Sequence, residues 1–105
     1  MPKNPMDDAH VLIPTELANE LPPLYSTEQE IDSLARVKFF TPDSSWTWYV
    51  VEFDPVDRLC FGLVIGLERE FGYFSLAELE TVRGPLGLKI ERDLYFEPMP
   101  VSQCN

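Results

Sequence analysis

The residues best suited to chemistry in this chain are its loop carboxylates. Asp43, Asp54 and Asp57, with Glu52 close by, could hold a hard cation or act as a paired acid and base. Both uses are demanding. A cation site needs several converging oxygens, and a glycosidase-type pair needs a substrate cleft between its carboxyls. Asp43 and Asp54 stand in the turn sequences Pro42-Asp43-Ser44-Ser45 and Asp54-Pro55-Val56-Asp57, where Asp is favoured for its local hydrogen bonds alone. A turn role is therefore expected, with a small ligand-binding or enzymatic domain using Asp43, Asp54 and an aromatic pocket kept as an alternative.

Other catalytic designs run short of parts. His10 is the only histidine, so a histidine metal site, a Cys–His pair and a Ser–His triad would all depend on it. It falls in the leader and is expected at the surface. Cys60 lies in the most apolar segment and reads as a buried reduced thiol, while Cys104 is penultimate; two such cysteines do not make a disulfide framework. Arg83-Gly84-Pro85-Leu86-Gly87 lacks the lysine and glycine spacing of a phosphate loop and reads as a helix cap followed by a turn. No cofactor and no metal are expected.

Two features favour binding over catalysis. The first is the aromatic run Trp46, Trp48 and Tyr49. Strict alternation sets Trp46, Trp48, Val50 and Glu52 on one face of a strand and Thr47, Tyr49, Val51 and Phe53 on the other. Both faces are apolar while helices are few, so one face is expected to stay partly uncovered as a contact patch, against the alternative that the rings are core. The second is charge. Net charge is −10, which opposes nucleic acid and anionic lipid because phosphate binding needs clustered Lys and Arg. Residues 1–35 hold seven acids against Lys3 alone, so a localised field arises around Glu16, Glu20, Glu28 and Glu30.

These residues need a scaffold. At 105 residues the chain is sized for one domain, expected over residues 12–98 between a flexible leader (1–11) and a flexible tail (99–105). Its amino-terminal segment lacks the apolar stretch of a signal peptide, and no apolar run is long enough to cross a bilayer, so a cytoplasmic location is expected. A short helix over Glu16–Leu21 ends at Pro22-Pro23, with Leu17, Leu21 and Leu24 as its stripe. Residues 25–35 form either a second helix, with Ser26 and Gln29 at capping-box spacing, or an ordered loop. Strands follow at 37–41, 46–53, 59–67 and 71–74, joined by short turns that favour an antiparallel meander, with an edge strand near 88–91. Ser75-Leu76-Ala77-Glu78 is a capping box opening a helix to Arg83. Leu76, Leu79 and Val82 form its stripe, and Gly84 is expected to end it in a left-handed conformation. The fold class is α+β: a small four- to five-stranded, mainly antiparallel sheet with one or two short helices packed on one face.

The segment Val37-Lys38-Phe39-Phe40-Thr41-Pro42-Asp43-Ser44-Ser45-Trp46-Thr47-Trp48-Tyr49, with Glu52-Phe53-Asp54-Pro55, Phe74-Ser75-Leu76-Ala77-Glu78-Leu79-Glu80, Arg83-Gly84-Pro85-Leu86-Gly87 and Ile90-Glu91-Arg92-Asp93-Leu94-Tyr95-Phe96, resembles a bacterial family catalogued as domain of unknown function 2958. The resemblance spans about residues 12–100. It implies a setting on plasmids, integrative elements and other mobile DNA, and carries over no catalytic residue. The expected function is a non-catalytic protein-interaction protein with a protein partner, using Trp46, Trp48 and Tyr49 or the acidic first third. No direct nucleic-acid or membrane binding is expected, and a two-fold homodimer is consistent with a bare aromatic face. The alternative within binding is an acidic DNA mimic that opposes a host DNA-binding or defence enzyme.

Overall fold

A computed structural model describes residues 9–105; the expected flexibility of residues 1–8 lies outside them. In chain order the elements are α1 (Thr15–Ala18), β1 (Leu34–Ala35), β2 (Val37–Phe40), β3 (Thr47–Asp54), β4 (Leu59–Ile65), β5 (Arg69–Ser75), α2 (Leu76–Thr81), β6 (Glu91–Arg92), β7 (Met99–Pro100) and a 3-10 turn (Val101–Gln103). Five strands form an antiparallel sheet in the order β5-β4-β3-β2-β6, and β1 pairs with β7 separately. The expected α+β meander is what the chain adopts. Residues 25–33 are turns and bends, the loop of the two options above.

Local chemistry explains the joints. Between β3 and β4 the Val56 amide donates to Asp54 Oδ1 at 3.0 Å, and Arg58 closes the turn in the left-handed region (φ 53°). Helix α2 is capped as expected, with Glu78 N donating to Ser75 Oγ at 3.2 Å. It stops earlier than its stripe suggests, because Val82 is already extended and 38% exposed. Gly84 is not left-handed; that conformation belongs to Gly87 (φ 83°). Gly84 is instead a close-approach glycine. A Cβ there would fall 1.6 Å from Asp43 Oδ1, while Asp43 Oδ2 accepts from Leu86 N at 2.8 Å and Leu88 N at 3.4 Å.

Apolar cores lie on both faces of the sheet. Val37, Phe39, Trp48, Val50 and Phe53 meet Leu12, Leu21, Leu76, Leu79 and Ile90 on the helical face. On the opposite face Ala35, Tyr49, Val51 and Leu63 meet Val101 and Cys104. The two faces are not those of strict alternation. Val50 pairs with Gly62 and Glu52 with Phe61, so Val51 is the extra residue of a β-bulge. The bulge exchanges the last positions of β3: Phe53 enters the helical core and Glu52 leaves it. Burying Phe53 there contributes about 2 kcal/mol, whereas a carboxylate in its place would lose hydration without a partner.

The tail expected to be flexible at 99–105 is packed. Val101 and Cys104 are 8% and 2% exposed, β7 pairs with β1, and the Tyr49 hydroxyl donates to Asn105 O at 2.7 Å. The helices cover the other face, so the chain end supplies the apolar cover here. The leader also makes contacts from residue 9 onward: Ala9 is buried, and His10 Nε2 lies 4.0 Å from Glu91 Oε2. Cys60 and Cys104 are both reduced and buried. Burial pushes the Cys60 thiol up to about 12, with Arg58 opposing weakly, and burial likewise raises Cys104. Among the described residues no helix is long and apolar enough to cross a membrane.

Candidate functional site

Chain alternation on β4 and β5 sends Phe61, Phe71 and Tyr73 to the face away from the helices. Phe61 stands opposite both Glu52 and Tyr73 across the sheet. The carboxyl-terminal turn covers the middle of this face but stops short of these rings. Phe71 and Tyr73 are 52% and 50% exposed, and Tyr25 from the preceding loop is 59% exposed. Together with residues 25–33 they enclose a groove of about 450 Å³, floored by Val51, Glu52 and Phe61 and closed at one end by Val101. The rings form a continuous row. Tyr25 and Tyr73 lie 6.2 Å apart, Tyr73 and Phe61 5.0 Å, and Phe61 and Phe71 6.3 Å.

The loop wall is held by polar contacts. Glu52 is 2% exposed, and its carboxylate accepts from Tyr25 N at 2.8 Å, Thr27 N at 2.9 Å and the Thr27 hydroxyl. These donors replace the water that burial removes. Tyr25 adopts a left-handed conformation (φ 70°) where the chain bends toward Glu52. At the far end Asp32 accepts from Ser102 N at 3.1 Å and Ser102 Oγ at 2.6 Å, and these bonds hold its carboxyl below the ordinary range. Arg69 Nη2 donates to Val101 O at 2.9 Å, fixing the turn against β5. Loop and chain end are thereby clasped across the groove.

The lining includes Glu28, Glu30 and Glu52 and no lysine, arginine, histidine or cysteine. The Tyr73 phenol is held above its ordinary value by desolvation, by the neighbouring Tyr25 side chain and by the negative field of Glu52 and Glu28. Such a site offers ring faces and negative potential. Among the described residues strand β5 forms one edge of the sheet and pairs only with β4, leaving its other side without a paired strand.

A family model described as protein of unknown function (DUF2958) matches residues 12–103. The chain belongs to that family. No curated protein and no solved structure matches it.

The residues expected to form the site are scattered. Trp48 and Tyr49 are buried at 8% and 3% exposure, in different cores on opposite faces. Only Trp46 keeps substantial exposure, at 39%, stacked 6.0 Å from Trp48 and lying over Gly66. Glu28 and Glu30 line the groove, whereas Glu16 and Glu20 are exposed on and just after α1 and do not. Asp54 holds its own turn, whereas Asp43 accepts from Leu86 N and Leu88 N of a turn far along the chain in place of the local role expected of it, and among the described residues no group of three or more His, Cys, Asp or Glu gathers as a metal ion would require. Sequence reasoning missed Tyr25, Phe61, Phe71 and Tyr73. The signal was present in Phe71-Gly72-Tyr73, which places two rings on one face of an edge strand.

Proposed function

We propose that this chain is a non-catalytic protein-interaction domain whose binding surface is the aromatic groove beside β5. The observation that carries the reading is the row of Tyr25, Tyr73, Phe61 and Phe71, three of which are half exposed or more, two of those on the edge strand β5. Large aromatic side chains on a rigid support supply contact area at low entropic cost, as interface anchors do. The family resemblance supports mobile DNA as the setting. The test is affinity capture with wild type, with a Phe71→Ser/Tyr73→Ser variant and with Trp46→Ala, all matched for melting temperature. Partners retained by Trp46→Ala and lost by the double variant support the reading; equal recovery by all three refutes it.

The DNA-mimic reading keeps one support: Glu16, Glu20, Glu28 and Glu30 are all exposed. It requires that reversing these four charges abolish inhibition of a DNA-binding enzyme without unfolding the domain. The third reading, built on Asp43, Asp54 and an aromatic pocket, loses its geometry because neither aspartate lines the groove.

A further inference from the structure

We infer that the occupant of the groove is an extended partner segment that pairs with β5 and places an arginine side chain against the Tyr25, Phe61 and Tyr73 rings. This rests on the interaction reading above and specifies its ligand.

Glu28, Glu30 and the buried Glu52 border the ring faces, and no cation is present among the lining residues to offset them. Among the described residues neither Glu28 nor Glu30 forms an ion pair. A cation above an aromatic face is attracted by the ring quadrupole, and a planar guanidinium can stack on the ring while its edge reaches a carboxylate. Glu52 already accepts from Tyr25 and Thr27, so it supplies field, while Glu28 and Glu30 are exposed and positioned to accept from the guanidinium. A second copy of this chain is the disfavoured occupant, because it brings another net −10 to a surface that is already negative.

On an antiparallel edge, an added strand aligns alternate side chains with one face of the sheet. Phe71 and Tyr73 are the residues of β5 that line the groove, on the same face as Arg69. A strand added to this edge would place alternate side chains on that face, beside the groove.

The test is a titration of the intact protein, followed by amide NMR, with the blocked peptide Thr-Val-Arg-Val-Thr and its citrulline counterpart, which is neutral and of the same shape. Shifts confined to β5 and residues 25–31, with the citrulline peptide at least about tenfold weaker, are expected. Glu28→Gln/Glu30→Gln, which leaves every structural hydrogen bond described above intact, is expected to weaken the arginine peptide and spare the citrulline one. Equal binding of both peptides in the groove overturns the arginine assignment and leaves the interaction reading standing. No shift in these amides from either peptide at millimolar concentration also overturns the inference, while the capture experiment still judges the broader reading. Light scattering that finds a dimer with β5 amides at its interface assigns the edge to a second copy and overturns it as well.

Discussion

Replacing Glu52 by alanine is expected to destabilise the domain by about 2–3 kcal/mol and to loosen the loop at residues 25–30. Three donors converge on this carboxylate: two backbone amides at 2.8 and 2.9 Å and the Thr27 hydroxyl. A hydrogen bond to a charged group contributes about 1.5–3 kcal/mol, so three taken additively would overstate the loss. Two effects reduce it. Tyr25 is 59% exposed, so water entering the groove can rehydrate the released amides, and deleting the carboxylate removes the cost of burying its charge. Glu52→Gln retains an acceptor oxygen but turns an NH2 group toward the remaining donors, and is expected to cost about 1–2 kcal/mol. Urea unfolding read by tryptophan fluorescence measures both, and for a domain of this size the alanine variant should melt about 10 °C lower or more. Amide exchange at Tyr25 and Thr27 should accelerate while that of β2 stays slow. A loss below about 0.5 kcal/mol with unchanged exchange at those amides would refute the account of Glu52 as the anchor of the loop.

Gly84→Ala should destabilise by about 1–3 kcal/mol, since its Cβ would fall 1.6 Å from Asp43 Oδ1; in an Asp43→Ala background most of that cost should vanish, as a double-mutant cycle by urea unfolding will show. Gly66→Ala should push the Trp46 indole off the strand, because the new Cβ would lie 2.3 Å from its ring, and red-shift tryptophan emission at a cost of about 1 kcal/mol. Arg58 donates to Glu80 at 2.7 and 2.8 Å, holding the Glu80 carboxyl below its ordinary value of 4.5. The folded value is the lower one, so this contribution is full above about pH 4.5 and fades as acid carries the pH down through the folded value. Both side chains are more than a third exposed, so Glu80→Gln should cost at most about 0.5 kcal/mol at neutral pH and nothing in strong acid, measured by urea unfolding across pH. Neither cysteine should react with a thiol reagent in the folded protein, because burial keeps both as thiols; rapid modification of Cys104 would contradict the packed tail, and of Cys60 the core on the helical face.

Much of the sheet could be read from the chain because its cues are local. Two-residue alternation marks β2 through β5, Asp and Pro mark the turns, and Ser75 with Glu78 marks the start of α2. What escaped depends on distant partners. The bulge at Val51 exists only relative to β4, yet it decides that Phe53 is core and Glu52 is a loop anchor. The tail looks polar and short, and its burial follows from a bare sheet face and from Leu34–Ala35, far earlier in the chain. The exposed rings stand on a different strand from the one on which an uncovered aromatic face was expected. Trp48 and Tyr49 lie on the central strand β3, where both faces are covered, whereas Phe71 and Tyr73 lie on an edge. Residue type alone does not distinguish the two positions; strand order does.

Strand order also bears on which binding reading the fold favours. Phe61, Phe71 and Tyr73 stand on strands paired along their length, so their spacing is set by the ladder and costs little to preserve on binding. The facing wall is different: it is a loop tied down by Glu52 and by the Asp32–Ser102 contact, with Tyr25 and Ile31 largely exposed. Rigid anchors opposite an adjustable wall suit a surface that closes on an inserted side chain. A DNA mimic makes the opposite demand, for charges held at fixed spacing along one rigid element. Glu16 and Glu20 sit on and just beyond a four-residue helix, while Glu28 and Glu30 ride on the loop, so no single element spaces all four. Glu28 and Glu30 border the groove while Glu16 and Glu20 stand apart from it, an arrangement that favours the proposed interaction reading over the mimic.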